Sequence, residues 1–310
     1  MNRSPMNIAL TQTVNAYQGM PTSVSGVSQL SDKLGAIRDA NIEHHRELIA
    51  QAKLLDVRAL CMGELFAGPY FALGENPMWR EMAEDADTGP TITAMRQIAA
   101  DNSMLLVAPI YELDNATGKR FNTAVVIESD GSILGKYRKT HIPAGTNDAG
   151  SFYETFYYER SDGKLGPSTK NISNNSFFPV FETSVGRVGV AICYDRHFPG
   201  AMKALADEGA ELIFSPAVTF GQKSRRMWDL EFEVDAARHN VFIAGSNRLG
   251  SEAPWNQDYF GASYIVGPNG RMATLEAPEG LIVAQVDLAI LTEPDPSGWD
   301  LARDLRSDIY

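Results

Sequence analysis

Residues 177–200 read FFPVFETSVGRVGVAICYDRHFPG. The stretch predicts two strands folded about Val185-Gly186, the second running through the apolar run VGVAIC to Cys193. The polar, sharply turning segment YDRHFPG comes next, and a helix is expected from about Pro199 to Glu208. A hairpin whose second strand runs on into a turn and a helix speaks against a purely parallel sheet.

The flanking sequence extends the same pattern. Downstream, ELIFSPA reads as a strand, Arg225 to His239 as a helix, and VFIAGSNR, FGASYIVG and LIVAQVDL as further strands. Upstream, MNIALTQT, VRALCM and MLLVAPIYEL are strands, with a helical segment from about Ser28 between the first two. Another helix begins at Thr88-Gly-Pro90, with Thr88 as a candidate cap and Pro90 suited to the first turn. FNTAVVIE and ILGKYRK flank Ser129-Asp130-Gly131-Ser132, a hairpin about an Asp-Gly turn. Helices separated by many strands, some paired in hairpins, predict an α/β class protein built as a layered sandwich. No Pro/Gly/Ser-rich linker and no repeat divides the chain, so residues 1–310 are expected to form a single domain. The polar stretch from Glu159 to Ser176 is expected to be an exposed loop.

Of 310 residues, 44% are hydrophobic and 21% charged, enough apolar content for a substantial core. The formal charge of -12 is offset by no basic cluster; such a surface repels phosphate backbones and anionic lipid, so neither nucleic acid nor membrane is the expected partner. The start, MNRSPMNIALTQTV, lacks the layout of a signal peptide, and no apolar stretch approaches the length of a membrane span. The only cysteines, Cys61 and Cys193, preclude a disulfide framework or a four-thiolate zinc site. A cytoplasmic protein is expected.

Cys193 stands where a buried strand ends and a turn begins, an elbow that exposes a sulfur and can face a backbone N–H toward an oxyanion. The plainer reading is a small buried hydrophobe, which suits Cys61 within its strand better. Glu64 ends the strand VRALCM and precedes LFAGPYF, where poor solvation would give a carboxylate the basicity a general base needs; otherwise it is a capping or salt-bridged residue. Lys139, in GKYRKTHIP, lies at a strand end; if turned inward, its ammonium must find a carboxylate or a developing oxyanion. Glu154, in YETFYY, is a candidate partner for it.

Taken together, the segments ELFAGPYF, GKYRKTHIP, YETFYY and VGVAICYDRHFPG, in that order, resemble the carbon–nitrogen hydrolase (nitrilase) superfamily, from MNIALTQT to LIVAQVDL. The resemblance implies a four-layer α-β-β-α sandwich and a Glu-Lys-Cys triad of Glu64, Lys139 and Cys193, with Glu154 supporting the lysine. It implies hydrolysis of a non-peptide C–N bond through a thioester, with Lys139 and the Tyr194 backbone N–H meeting the oxyanion, no metal or organic cofactor, and a homodimer or larger homo-oligomer. The tail WDLARDLRSDIY, within about residues 290–310, either packs at such an interface or caps its own subunit.

The segment from Cys193 to Pro199, with SNRLG and DYFGASYIVGPNG, is similar to β-ureidopropionases and N-carbamoyl amino acid hydrolases, which implies a small-molecule substrate carrying a carboxylate. Asp195 departs from the glycine of animal ureidopropionases. A guanidinium at Arg196 can clamp a carboxylate bidentately, with His197 assisting; the alternative is a structural salt bridge with Asp195 or a neighbour. Other readings are a neutral-amide, formamide or N-carbamoylputrescine-type amidase, and a non-catalytic relative with the same fold.

Overall fold

The computed structural model of the chain describes residues 4–306, 308 and 309. Period-two alternation in its first strands sorts side chains between two cores. In β1 (Met6–Thr11), Ile8 and Leu10 enter one core and Ala9 the other. The pattern repeats in β2 (Val57–Cys61), where Ala59 and Cys61 oppose Leu60. In β3 (Leu105–Leu113), Leu105 and Val107 oppose Leu106, Ala108 and Ile110. Strands buried on both faces need a layer on each side.

On one side lie α1 (Leu34–Leu54) and α2 (Pro90–Asn102). Their inward stripes, Ile42, Leu48, Ile49 and Ala52 on α1 and Ile92, Met95, Ile98 and Ala99 on α2, cover the first sheet. On the other side lies a second sheet, covered in turn by α3 (Pro199–Asp207) through Met202 and Leu205 and by α4 (Gln222–His239) through Trp228 and Phe232. The result is the four-layer α-β-β-α sandwich.

The first sheet is completed by β4 (Arg120–Ile127) and β5 (Ile133–Arg138), an antiparallel hairpin on β3. At its turn Gly131 has φ 82° and sits so close to α2 that a Cβ would lie 2.6 Å from the Arg96 carbonyl, so only glycine fits. The second sheet contains β6 (Val180–Thr183) and β7 (Gly186–Val190), the expected hairpin, then β8 (Leu212–Ala217), β9 (Phe242–Asn247) and β10 (Tyr264–Gly267). The last long strand, β11 (Leu281–Val286), returns to pair antiparallel with β1. Among the described residues the sheet orders are Thr274–Leu275, β11, β1, β2, β3, β4, β5 and Gly270–Arg271, β10, β9, β8, β7, β6.

Two local expectations are corrected. FGASYIVG is not one strand: Gly261 and Ala262 take φ of 60° and 55°, and β10 starts only at Tyr264. Thr88 does not cap α2; its hydroxyl donates to Asp85, and the Glu84 carboxylate accepts the Thr91 N–H at 2.8 Å instead. Residues 159–176 carry no strand or helix apart from an isolated bridge between Asn171 and Phe181. At the C-terminus Trp299, Leu301 and Ile309 leave their side chains exposed, while the expectation for Ser307 and Tyr310 lies outside the described residues.

Candidate active site

The ends of β2, β5 and β7 converge at one edge of the two sheets. Glu64 lies just past β2, Lys139 directly after β5 and Cys193 at the start of the turn Cys193–His197, while Glu154 opens the helical turn Glu154–Tyr157. These side chains, far apart in sequence, are all buried.

Lys139 is the centre of the group. Its Nζ donates to Glu64 Oε1 at 2.8 Å and to Glu154 Oε2 at 2.7 Å, and its own exposure is 0%. Burial works against the ammonium, but the Glu154 and Glu64 carboxylates outweigh it and hold the lysine's pKa above its ordinary value. Glu154 is pushed up by burial, against the pull of Lys139. Tyr70 donates to its other oxygen, Oε1, at 2.7 Å. Glu64 is met from three directions: Lys139, the Asn122 side-chain amide at 2.6 Å, and the Val218 N–H at 2.8 Å on Oε2.

Val218 also joins this carboxylate to the sulfur, because its carbonyl lies 3.4 Å from Cys193 Sγ. Burial first and the nearby Glu64 charge second push the Cys193 thiol up to about 12, with Lys139 and Arg196 pulling the other way. The sulfur is therefore a thiol near neutral pH, and reaction requires a base at the moment of attack. Cys193 holds φ of 49°, in the left-handed region that a residue with a Cβ enters at a cost. Tyr194 follows in the first turn, where a helical N–H has no acceptor within the helix and is open to an oxyanion. Cys61 is fully buried between the sheets.

The residues after the nucleophile are tied inward. Arg196, 2% exposed, donates through Nη1 to the Cys193 carbonyl at 2.7 Å and through Nη2 to Thr219 at 3.2 Å. Its ion-pair partner is Glu231 on α4, at 3.2 Å, and not Asp195. Arg196 thus makes a structural salt bridge of the kind weighed against a carboxylate clamp, while its Nη1 remains 3.8 Å from Cys193 Sγ. His197 binds the same Glu231 through Nδ1 at 2.7 Å. Asp195 turns instead to Tyr137, to the Ile192 N–H, and to the backbone and ring nitrogens of His141.

A further clamp holds the loop that carries Glu64. Arg248, ion-paired with Glu252, donates through Nη2 to the carbonyls of Glu64, Leu65 and Gly68 at 2.9–3.1 Å. Sequence reading missed Asn122, Tyr70, Val218, Glu231 and Arg248. Tyr70 and Arg248 carried a signal, through their places in ELFAGPYF and SNRLG.

The arrangement sets a buried acid, a buried cation and a thiol around one point, a set able to move a proton from sulfur and to meet a developing oxyanion. The chain matches the carbon-nitrogen hydrolase family model over residues 26–293. It is 30% identical over 284 residues to an N-carbamoylputrescine amidase of Arabidopsis thaliana, covering 87% of this chain and 88% of the relative. It is 30% identical over 282 residues to a beta-ureidopropionase of the same plant, covering 86% of this chain and 64% of the relative. The crystal structure of a carbon-nitrogen hydrolase from Helicobacter pylori G27 superposes with a TM-score of 0.78 at 26% identity, covering 99% of this chain and 97% of the other. The chain belongs to the carbon-nitrogen hydrolase family and is a hydrolase of carbon–nitrogen bonds other than peptide bonds.

Proposed function

We propose that the protein hydrolyses the terminal carbamoyl group of an N-carbamoyl amino acid, releasing ammonia, carbon dioxide and the free amino acid. The observation that carries this reading is the bridge at Val218, which binds Glu64 through its N–H and Cys193 through its carbonyl and so sets base beside nucleophile. The relatives support the substrate class, since carbamoylputrescine and β-ureidopropionate both end in a ureido group.

In this reading Glu64 takes the thiol proton as Cys193 Sγ attacks the ureido carbonyl. The oxyanion is met by the Lys139 ammonium and the Tyr194 N–H, donors whose individual loss costs about 3–4 kcal/mol in comparable sites. Glu64 returns the proton to the departing nitrogen, ammonia leaves, and a carbamoyl thioester remains on Cys193. Water, deprotonated by Glu64, attacks that thioester; the thiol reforms and the carbamate falls apart to carbon dioxide and amine. Glu154, anchored by Tyr70, keeps Lys139 charged and aimed. Arg196 reads the substrate carboxylate with its sulfur-facing Nη1, and His197 buttresses it through Glu231.

A second reading is favoured by one feature: Glu231 already neutralises Arg196, which suits a substrate whose amine side is neutral or cationic. Ammonia release from N-carbamoyl α- and β-amino acids, carbamoylputrescine and simple amides separates the two. Turnover confined to the last two groups would overturn the first reading. The proposal includes self-association, with the exposed Trp299 and Leu301 at the contact; a single monomeric species in sedimentation at micromolar concentration would refute that part.

A further inference from the structure

We propose that Asn122 is a positioning residue for the reaction: its side-chain amide fixes the Glu64 carboxylate so that one chosen oxygen faces the Cys193 thiol. The inference rests on the role of Glu64 as base given above.

Asn122 sits in β4, fully buried, 58 residues from Glu64 in the chain. Its Nδ2 donates to Glu64 Oε1 at 2.6 Å, and its main-chain carbonyl accepts the Lys139 N–H at 2.8 Å. One residue therefore touches both the base and the backbone of the residue that carries the cation. Because Asn122 and Lys139 both occupy Oε1, the less encumbered oxygen is Oε2, which among the described residues takes only the Val218 N–H. The residue that binds Oε2, Val218, is also the one whose carbonyl meets the sulfur. The geometry assigns proton transfer to Oε2.

A second observation points the same way. Asn122 Oδ1 is buried and has no hydrogen-bond partner among the described residues. An orphaned buried acceptor is costly. Turning the amide over would set that oxygen against the Glu64 carboxylate, so the native orientation is the one in which a donor faces the base. The donor is also neutral, and a second cation in its place would stabilise the carboxylate so far that it became a poor base.

Other groups also bear on Glu64. Lys139, Glu154 and Cys193 face it, Tyr70 and Tyr158 lie within its field, and Arg248 binds its main-chain carbonyl. Removing the donor in Asn122→Leu favours the protonated acid, and the added negative charge of Asn122→Asp favours it more.

The test is the pH profile of kcat/KM and kcat for both variants, with Asn122→Ser as a smaller third change and circular dichroism to verify folding. The acid limb is expected to move to higher pH in the order wild type, Asn122→Leu, Asn122→Asp. At neutral pH kcat should fall about ten- to a hundred-fold, the worth of a hydrogen bond to a charged group, with KM little changed. Folded variants whose acid limb coincides with wild type would overturn the proposal, since a merely structural loss lowers activity without moving the limb. Glu64→Gln separates the two levels: full activity in that variant removes the base role itself, whereas an inactive Glu64→Gln beside unshifted Asn122 variants removes only the inference about Asn122.

Discussion

The guanidinium of Arg196 donates to the main-chain carbonyl of Cys193 at 2.7 Å, tying the nucleophile to a residue within the same turn. Cys193 has φ of 49°, and a conformation of that kind persists only when its surroundings over-determine it. Arg196 is itself held by Glu231 and lies 5.2 Å above the Trp228 ring, both on α4. The helix thus secures the shape of the elbow through one side chain.

Arg196→Ala should accordingly lower kcat by at least about tenfold on neutral amides as well as on acidic substrates, because the elbow loosens for every substrate. A role in reading a carboxylate would appear in addition, as a rise in KM limited to acidic substrates. The variant should also lose about 3 kcal/mol of stability, since Glu231 keeps its largely buried charge with His197 as its remaining ion-pair partner among the described residues. Steady-state kinetics on both substrate types, with thermal melting, measure these effects. Unchanged kcat on neutral amides would show that the elbow holds without Arg196.

A second expectation concerns pH. With the Cys193 thiol pushed up to about 12, mainly by burial, no activity limb should appear near the ordinary thiol pKa of about 8.5. Alkylation of Cys193 by iodoacetamide, followed by mass spectrometry, should keep rising with pH through 10 without levelling. Stability has the opposite sign. Between about pH 9 and 12 the unfolded thiol ionises while the folded one does not, so the unfolded state binds fewer protons and this contribution to stability is lost as pH rises. A plateau in alkylation by pH 8 would mean a thiolate preformed in the folded protein.

The layers and the strand ends were legible because their signals are local. The alternation of β1 to β3, the Asp-Gly hairpin and the run into Cys193 all lie within a few residues. The supports of the site were not, because each depends on what faces a side chain across the fold. Asn122 reads as an ordinary polar residue in FNTAVVIE, and period two gives its face but not that Glu64 lies opposite. On α4, Glu231 and Glu233 are equivalent in composition, yet Glu231 turns to Arg196 while Glu233 pairs with Arg271 at the surface. Adjacency misleads at Asp195: neighbours in a tight turn diverge, and its carboxylate faces His141 and Tyr137 rather than Arg196.

Asp195 accepts from Tyr137 at 2.6 Å, the Ile192 N–H at 3.0 Å, the His141 N–H at 2.9 Å and its Nδ1 at 2.8 Å. An amide has one oxygen to offer where a carboxylate has two. Asp195→Asn therefore sets an NH2 group against some of these donors and should cost about 2–4 kcal/mol, read as a fall in melting temperature. The His141 ring, stacked on Phe198 with centroids 3.8 Å apart, loses its anchor as well. A melting temperature equal to wild type would mean that the turn is held without this carboxylate.

The lysine allows the sharpest separation of stability from chemistry. Lys139→Met leaves Glu64 and Glu154 buried with no cation between them, and breaking such a group typically costs about 3–5 kcal/mol. The two carboxylates, deprived of the ammonium, are then expected to share a proton, as close like charges in a buried site do. Adding Glu154→Gln to Lys139→Met removes one of the opposing charges and should restore much of the stability. Activity should not return, because no ammonium meets the oxyanion. Melting temperature and turnover of the single and double variants measure the two quantities independently. If the double variant melted no higher than Lys139→Met alone, charge imbalance would not be what destabilises the core; if it recovered turnover, Lys139 would have no part in the chemistry.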